Sequence, residues 1–246
     1  MPKQLSERSK LDLSGRELKA VPPLAWRNKS LRVLNLFRNK LKFLPADIAQ
    51  LTELQVLIVA NNQLRELPEE LGALRHLRMV DAGHNRIAVL PRSFAKLTAL
   101  SDYLYLHDNR LEALSDSVFE SFFHLRYLNL SDNRLRGLPA SLSALVNLEE
   151  LRLENIGMKI LPECVTDLTA LDELTLRNNG LAALPASFEK LRNLRCLDLR
   201  GNRFTRLPPV LRNLRKLQKL DLRWNNLRVL PRWLKELSAR GCRVLL

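Results

Sequence analysis

One arrangement of leucine, asparagine and proline recurs ten times along this 246-residue chain. Each copy carries two apolar residues separated by one position, an asparagine three residues later, another apolar residue, and then Leu-Pro. The copies follow one another at 23 residues, with intervals of 24 residues on either side of the fifth. This period predicts a solenoid of stacked coils, because one short copy cannot bury its apolar side alone. The copies begin at Leu11, Leu34, Leu57, Val80, Leu104, Leu128, Leu151, Leu174, Leu197 and Leu220.

Alternation inside each copy predicts a short strand with one buried face. In Leu34-Asn35-Leu36 the two leucines point to one side and Asn35 to the other. Stacking the copies about 4.8 Å apart would give a parallel sheet over a continuous core. We therefore predict a single domain over 1–246, with caps at 1–10 and 231–246. Strands are predicted to start near residues 11, 34, 57, 80, 104, 128, 151, 174, 197 and 220.

The asparagine and the proline each have a physical reason to recur. The chain leaves the sheet at the asparagine, where backbone groups lose their strand partners and a side-chain amide can both donate and accept. Proline fixes φ and starts an extended or short helical return path. The asparagines are Asn39, Asn62, Asn85, Asn109, Asn133, Asn179, Asn202 and Asn225, and the prolines are Pro22, Pro45, Pro68, Pro91, Pro139, Pro162, Pro185, Pro208 and Pro231.

These residues resemble the leucine-rich repeat family, whose pattern LxxLxLxxNxLxxLPxxLxxL extends over about residues 11–237. The 23-residue form resembles the intracellular, Ras-pathway and plant type, which also occurs in small bacterial proteins and effectors. The resemblance implies an α/β fold, a right-handed horseshoe solenoid. Its parallel sheet would line the concave face, and its convex side would be mostly irregular, 3-10 or short helical. The concave face of the family usually binds other proteins.

Three copies depart from the pattern. The first has Arg16 at the asparagine position and is expected to act as a cap. The fifth has an extra residue before Leu104 and Ser115 in place of proline, so its return path resembles the 24-residue variety with a phenylalanine spine. The seventh has Ile156 where asparagine belongs, which predicts a local irregularity. Drift at a tolerated position is the favoured explanation of Ile156, and a site shaped for a partner is the alternative.

Cysteine usage and hydropathy bear on the compartment. The three cysteines, Cys164, Cys196 and Cys242, are odd in number and far apart, which favours a reducing environment. The first ten residues are polar and do not resemble a secretory leader. No segment approaches the ~18 apolar residues needed to span a bilayer. We expect a cytoplasmic protein without a transmembrane segment, in a host cytoplasm if it is an effector.

The formal net charge of +14 is unevenly distributed. It is +8 over residues 1–100, −7 over 101–175, +1 over 176–190 and +12 over 191–246. Such a field steers partners and sets the salt dependence of binding without identifying what is bound. The basic end contains Arg212, Arg215, Lys216, Lys219, Arg228, Arg232, Lys235, Arg240 and Arg243. These positions fall on several faces, so nucleic-acid binding is not favoured.

Two zones of the concave face are candidate partner-binding sites. Large apolar and tyrosine side chains on adjacent strands of the N-terminal half predict interface anchors. In the C-terminal half, arginines at intervals of 23 should stand in a row that ends at Trp224. They would bind carboxylates or phosphates as a forked array, or pair with the neighbouring aspartates, the favoured interpretation. The candidates are Val33, Phe37, Val56, Ile58, Met79, Tyr103, Tyr105, His107, Tyr127, Arg152, Arg177, Arg200, Arg223 and Trp224.

Catalytic and metal motifs are not recognised. The sequence has no glycine-rich phosphate loop, no nucleophile frame and no helix with two histidines at metal spacing. His84 and His107 should lie on adjacent strands near Asp81 and Asp108, and we interpret them as surface polar residues rather than a metal site. No enzyme activity, catalytic residue, metal, cofactor or small-molecule substrate is therefore predicted.

The sequence thus predicts a protein–protein interaction module, with a role in signal transduction, whose partner is another protein of unknown identity. The first alternative is a bacterial effector or the substrate-recognition part of a ubiquitin-ligase-type protein. The second is a binder of anionic surfaces or nucleic acid through the basic C-terminal end. The tail, residues 241–246, should form a last short strand with an open edge. We therefore expect a monomer or a weak dimer.

Overall fold

The computed structural model describes residues 9–246, in which eleven parallel strands form one sheet in chain order. Residues 1–8 of the predicted N-terminal cap lie outside the described residues. Each of the first ten strands begins one residue before the predicted leucine or valine, because that residue is the centre of a three-residue strand. The strands are β1 (Lys10–Asp12), β2 (Val33–Asn35), β3 (Val56–Ile58), β4 (Met79–Asp81), β5 (Tyr103–Tyr105), β6 (Tyr127–Asn129), β7 (Glu150–Arg152), β8 (Glu173–Thr175), β9 (Cys196–Asp198), β10 (Lys219–Asp221) and β11 (Arg243–Leu245).

The return path of most coils is a single short turn of 3-10 helix that begins directly after a proline. The proline holds the extended φ from which such a turn starts, −74° at Pro45 and −71° at Pro68. Two coils use a short α-helix instead, α1 (Glu163–Thr166) and α2 (Leu234–Ala239). The 3-10 helices are Pro23–Arg27, Ala46–Gln50, Glu69–Ala73, Arg92–Lys96, Ala140–Ala144, Ala186–Lys190 and Pro209–Asn213.

The core lies between the sheet and these return paths and is built from the repeated leucines. Leu34, Leu36 and Leu41 of the second coil are fully buried, and so are the equivalent Leu57, Val59 and Leu64 of the third coil. The fifth coil has turns instead of a 3-10 helix between its strand and the next. There Phe119 and Phe122 are fully buried, with ring centroids 6.2 Å apart, and Phe122 contacts Phe94 of the preceding coil at 5.9 Å. This is the phenylalanine spine that the sequence predicted.

A ladder of asparagine side chains joins consecutive coils at the end of the sheet. Asn133 Nδ2 donates to the carbonyl oxygens of Leu106 and Leu130, at 2.9 and 3.0 Å. Its Oδ1 accepts from the amide of Leu111 at 3.0 Å. The other seven asparagines make the equivalent contacts, which satisfy backbone groups that the strands leave without partners.

The backbone hydrogen bonding is irregular in two coils, the fifth and the seventh, where the sequence departs from the repeat pattern. The amides of Ser101 and Asp102 donate to the carbonyl oxygen of Arg78, whereas in the third coil the equivalent pair, Gln55 and Val56, lies one residue closer to the central leucine. This shift accommodates the extra residue at the start of β5. At the seventh coil, Ile156 is buried and has no side-chain amide. The backbone amide of Leu135 therefore has no acceptor among the described residues. A cleft of about 450 Å³ opens at this junction, lined by apolar side chains that include Leu138, Met158 and the largely exposed Ile160.

The C-terminal coil is closed by α2 and β11. Leu234 and Leu237 of α2 are buried against the core, and β11 pairs with β10 in parallel. Within residues 9–246, no strand lies on the other side of β11. None of the helices in this part of the chain is long and apolar enough to cross a membrane.

Candidate protein-binding surface

Three positions of every coil place their side chains on the concave face: the residues before and after the central strand residue, and the residue two positions further on. The parallel register puts Val33 opposite Val56, and Val56 opposite Met79. These side chains and Ile58 are partly exposed, and Phe37 is exposed. The predicted anchors of the N-terminal half therefore lie side by side on β2 to β4 and are accessible to a partner.

The three tyrosines stack on one another. The ring centroids of Tyr103 and Tyr127 are 4.6 Å apart at an interplanar angle of 30°, and those of Tyr103 and Tyr105 are 5.6 Å apart at 25°. Tyr105 contacts the ring edge of His107 at 6.1 Å, and His107 contacts His84 at 4.7 Å. We call these five residues the aromatic cluster. It crosses the sheet from β6 to the turn after β4.

The cluster is held by packing and by charged neighbours. Partial burial, assisted by the negative charge of Glu150, raises the pKa of Tyr105. Partial burial also raises the pKa of Tyr127, so both phenols stay protonated at neutral pH. The guanidinium of Arg126 lies 5.9 Å from the Tyr127 ring centroid, a cation–π distance. The tyrosines therefore present ring area and phenol O–H groups to solvent rather than charge.

Carboxylates surround the cluster on its C-terminal side. An open groove of about 510 Å³ begins at Tyr127 and is lined by Glu150, Asp172 and Glu173, with Arg195 and Lys216 further along. Glu150 pairs with Arg152, and Asp172 pairs with Arg195. Glu173 makes no ion pair among the described residues and is exposed. Glu150 and Glu173 therefore present carboxylates on the concave side directly beside the tyrosines.

The arginine row of the C-terminal half is present, and aspartates bind most of it. Arg200 pairs with Asp198, and Arg223 Nη2 lies 2.7 Å from Asp221 Oδ2. Burial would raise the pKa of Asp221, but the hydrogen bonds from Arg223 outweigh burial and leave that pKa below its ordinary value. Arg177 makes no ion pair in the described part of the chain. The paired arrangement agrees with the favoured interpretation and leaves fewer free donors for an anion.

Trp224 covers this row. Its ring centroid lies 5.9, 5.8 and 5.6 Å from the guanidinium carbons of Arg177, Arg200 and Arg223. Trp224 has a φ of 59° at a position where the other coils use such residues as Asn61, Asp132 or Gly201. A bulky residue is rare in this left-handed conformation. The ring is 64% exposed. It therefore forms a second aromatic surface, and the strands β7 to β9 lie between its coil and the aromatic cluster.

The structure thus places most of the predicted residues in two groups, which correspond to the two zones that the sequence predicted. Phe37 lies at the N-terminal margin, and Arg152 lies between the groups in its pair with Glu150. Sequence reasoning left His84 and Arg126 out of the candidate residues, although both contact the aromatic cluster. Register alone could have found Arg126, which precedes Tyr127. The position of His84 depends on a left-handed turn, with a φ of 53°, that the sequence does not display.

The fold and the repeated residues identify the class of protein. The family model described as "Leucine rich repeat" matches residues 9–64, 102–155 and 169–227, and the chain belongs to the leucine-rich repeat family. The predicted family and solenoid fold are therefore confirmed. Members of this family are mostly scaffolds for interaction with other proteins. No curated protein sequence matches the chain significantly.

Solved structures with the same fold come from bacteria and plants. A leucine-rich repeat protein of Leptospira interrogans is 33% identical, with a TM-score of 0.88 over 96% of this chain and 60% of that one. A TDR receptor is 27% identical, with a TM-score of 0.82 over 96% of this chain and 42% of that one. The ectodomain of the plant membrane receptor kinase GASSHO1/SCHENGEN3 from Arabidopsis thaliana, solved in complex with CASPARIAN STRIP INTEGRITY FACTOR 2, is 29% identical, with a TM-score of 0.75 over 92% of this chain and 28% of that one. The chain spans less than two thirds of the length of each.

Proposed function

We propose that this protein binds another protein on its concave face and that the aromatic cluster is the main anchor. The observation that carries the proposal is the stack of Tyr103, Tyr105 and Tyr127 on two adjacent strands, partly exposed and not covered by any other part of residues 9–246. Tyrosines in such a patch combine large contact area with a polar group at little entropic cost, because their rings are already packed. The neighbouring Met79, Ile58, Val56 and Val33 extend the apolar surface.

The charges beside the cluster suggest the chemistry of the partner. Glu150 and Glu173 line the groove that begins at Tyr127, and the segment 101–175 has a net charge of −7. A partner that places apolar side chains on the tyrosines and basic side chains in this groove would match both features. The cytoplasm is the proposed compartment, supported by the three cysteines, all of which are unpaired. A role in signal transduction remains part of this proposal.

Affinity capture followed by measured binding tests the proposal. Partners captured by the wild-type chain from the producing cell would be purified and titrated against a Tyr103→Ala/Tyr105→Ala double variant. Removal of two anchors should weaken binding by at least about 30-fold. Val146→Ser, at an exposed position outside the concave face, is the matched control and should leave binding unchanged. Unchanged affinity of the tyrosine variant for every partner would refute the proposed anchor.

The salt dependence of binding distinguishes the second candidate function, anion binding through the basic C-terminal end, from protein binding on the concave face. Binding to an anionic surface or nucleic acid should fall steeply as salt is added, because it depends on counterion release. Binding anchored by tyrosines should change much less. A variant with Arg228, Arg232 and Lys235 changed to glutamine, all of them exposed, should lose anion binding and keep the protein partner. No observation favours the effector or ligase alternative.

A further inference from the structure

Two imidazoles of the aromatic cluster meet nitrogen to nitrogen. His84 and His107 belong to adjacent coils, and their Nε2 atoms are 3.2 Å apart with the rings nearly perpendicular at 82°. Two histidine ligands at about 2.0–2.1 Å from one Zn²⁺ ion have nitrogen atoms about 3.3–3.4 Å apart when the coordination is tetrahedral. The observed separation is that of a hydrogen bond between the two imidazoles, and it is also close to that of two ligands of one metal ion.

The orientation of His84 is fixed by a carboxylate. Asp108 Oδ2 lies 2.6 Å from His84 Nδ1. Since a carboxylate accepts, Nδ1 of a neutral His84 carries the proton and Nε2 presents its lone pair. The same carboxylate–histidine arrangement orients the ligands of protein zinc sites. Both residues have left-handed backbones, with φ of 53° and 49°, and both stand at the same position of consecutive coils.

The second imidazole is held by a glycine. A Cβ atom on Gly83 would lie 2.4 Å from Cε1 of His107, so the ring occupies space that any other residue would fill. His107 Nδ1 is buried and has no partner within residues 9–246. Asp81, Asp108 and Asp132 give the surroundings a negative potential.

We propose that Nε2 of His84 and Nε2 of His107 bind a late first-row divalent cation such as Zn²⁺, with Asp108 as the group that orients His84. Imidazole nitrogen suits this class of metal. Among the described residues no group of three or more histidine, cysteine, aspartate or glutamate side chains could hold a metal ion, so the proposed site has two protein ligands. Its remaining positions face the concave side, where water or a donor of the bound partner would complete them.

Titration of the full chain with Zn²⁺ alone, followed by calorimetry, tests this site without any partner. One saturable site is expected. His84→Gln and His107→Gln should each weaken it at least tenfold, and Asp108→Asn should weaken it about tenfold, the usual effect of removing an orienting group. His76→Gln and His124→Gln, at exposed histidines elsewhere, are the controls and should have no effect.

A spectroscopic measurement identifies the metal ligands independently of calorimetry, and a separate measurement checks that each variant is folded. Electron paramagnetic resonance of added Cu²⁺ should show coupling to two imidazole nitrogens in the wild type and to one in His84→Gln. Circular dichroism identifies a histidine variant that has not folded. Such a variant is replaced by Gly83→Ala, which displaces His107 and keeps both imidazoles. The proposal is wrong if the wild type shows no saturable site, or if the two control variants weaken binding as much as the two test variants. Neither outcome depends on whether the aromatic cluster binds a protein.

Discussion

At the scale of single residues, hydrogen bonding at the end of the sheet decides how each coil joins the next. Each asparagine bridges two consecutive coils, because its side chain donates to a carbonyl of its own coil and to another of the preceding coil, and accepts from an amide of the preceding coil. A buried backbone group without a hydrogen-bond partner costs about 1–3 kcal/mol of folding free energy, so each asparagine side chain contributes strongly to stability. Ile156 removes this connection at one junction and leaves a cleft there.

This difference predicts an unusual response to substitution. Ile156→Asn should change the free energy of unfolding by less than about 1 kcal/mol, because the new amide would reach the amide of Leu135 and nearby carbonyls and offset the lost apolar burial. Asn133→Leu, a substitution of similar shape at a complete rung, should cost more than about 2 kcal/mol. Urea denaturation of both variants measures the comparison. Equal and large destabilisation by both would show that the seventh coil cannot accept the ladder.

At the scale of the structural element, the fifth coil shows how a longer repeat keeps the same core. Its return path has an extra residue and lacks the proline and the 3-10 helix of its neighbours. Phenylalanine rings packed edge to face fill the added space, since Phe119 and Phe122 are fully buried. The strands on either side keep their pairing, with Val80 opposite Leu104 and Leu104 opposite Leu128.

The neighbours Phe122 and Phe123 provide a matched test of this packing. Phe122→Ala should destabilise the protein by about 3–5 kcal/mol, because it removes a fully buried ring and leaves a cavity. Phe123→Ala should change stability by less than about 0.5 kcal/mol, because this ring is 49% exposed. Chemical denaturation gives both values. Similar costs for the two variants would contradict the spine.

At the scale of the whole molecule, each coil contacts mainly its nearest neighbours. Within residues 9–246 the sheet order follows the chain, and no strand pairs with a strand of a distant coil. The free energy of unfolding of such an array is close to a sum of contributions from each coil and from each interface between neighbouring coils. A destabilising substitution therefore affects mainly the coils next to it. The binding surface inherits this property, because its residues come from coils that are consecutive in the chain.

Hydrogen exchange should reveal this dependence on position. Leu237→Ala removes a buried side chain of α2 at the C-terminal end and should speed exchange in β10 and β11 while leaving β3 to β7 protected. Leu128→Ala at the centre of β6 should lower protection on both sides, at a cost of about 2–5 kcal/mol. Mass spectrometry of peptides from each coil records the pattern. Uniform loss of protection in the Leu237 variant would show a fully cooperative unit instead.

The sequence by itself determined the fold and the residues of the concave face. A fixed interval between leucines leaves one way to bury them all, and alternation then assigns Tyr103, Tyr105 and Tyr127 to the open side. The outcome agrees with this reasoning because register in a parallel solenoid follows directly from residue number. Even the departures at Ser115 and Ile156 corresponded to irregularities in the structure.

Only the tertiary structure decided how side chains from neighbouring coils meet. Three arrangements depend on side-chain rotamers and on left-handed turns. They are the contacts of Asp108 with His84 and of His84 with His107, the position of Trp224 over three arginines, and the ion pairs of Arg200 and Arg223 with aspartates. A repeat pattern specifies which residues are adjacent, but it does not specify where long side chains point. That choice depends on contacts between coils, which exist only after the coils have stacked.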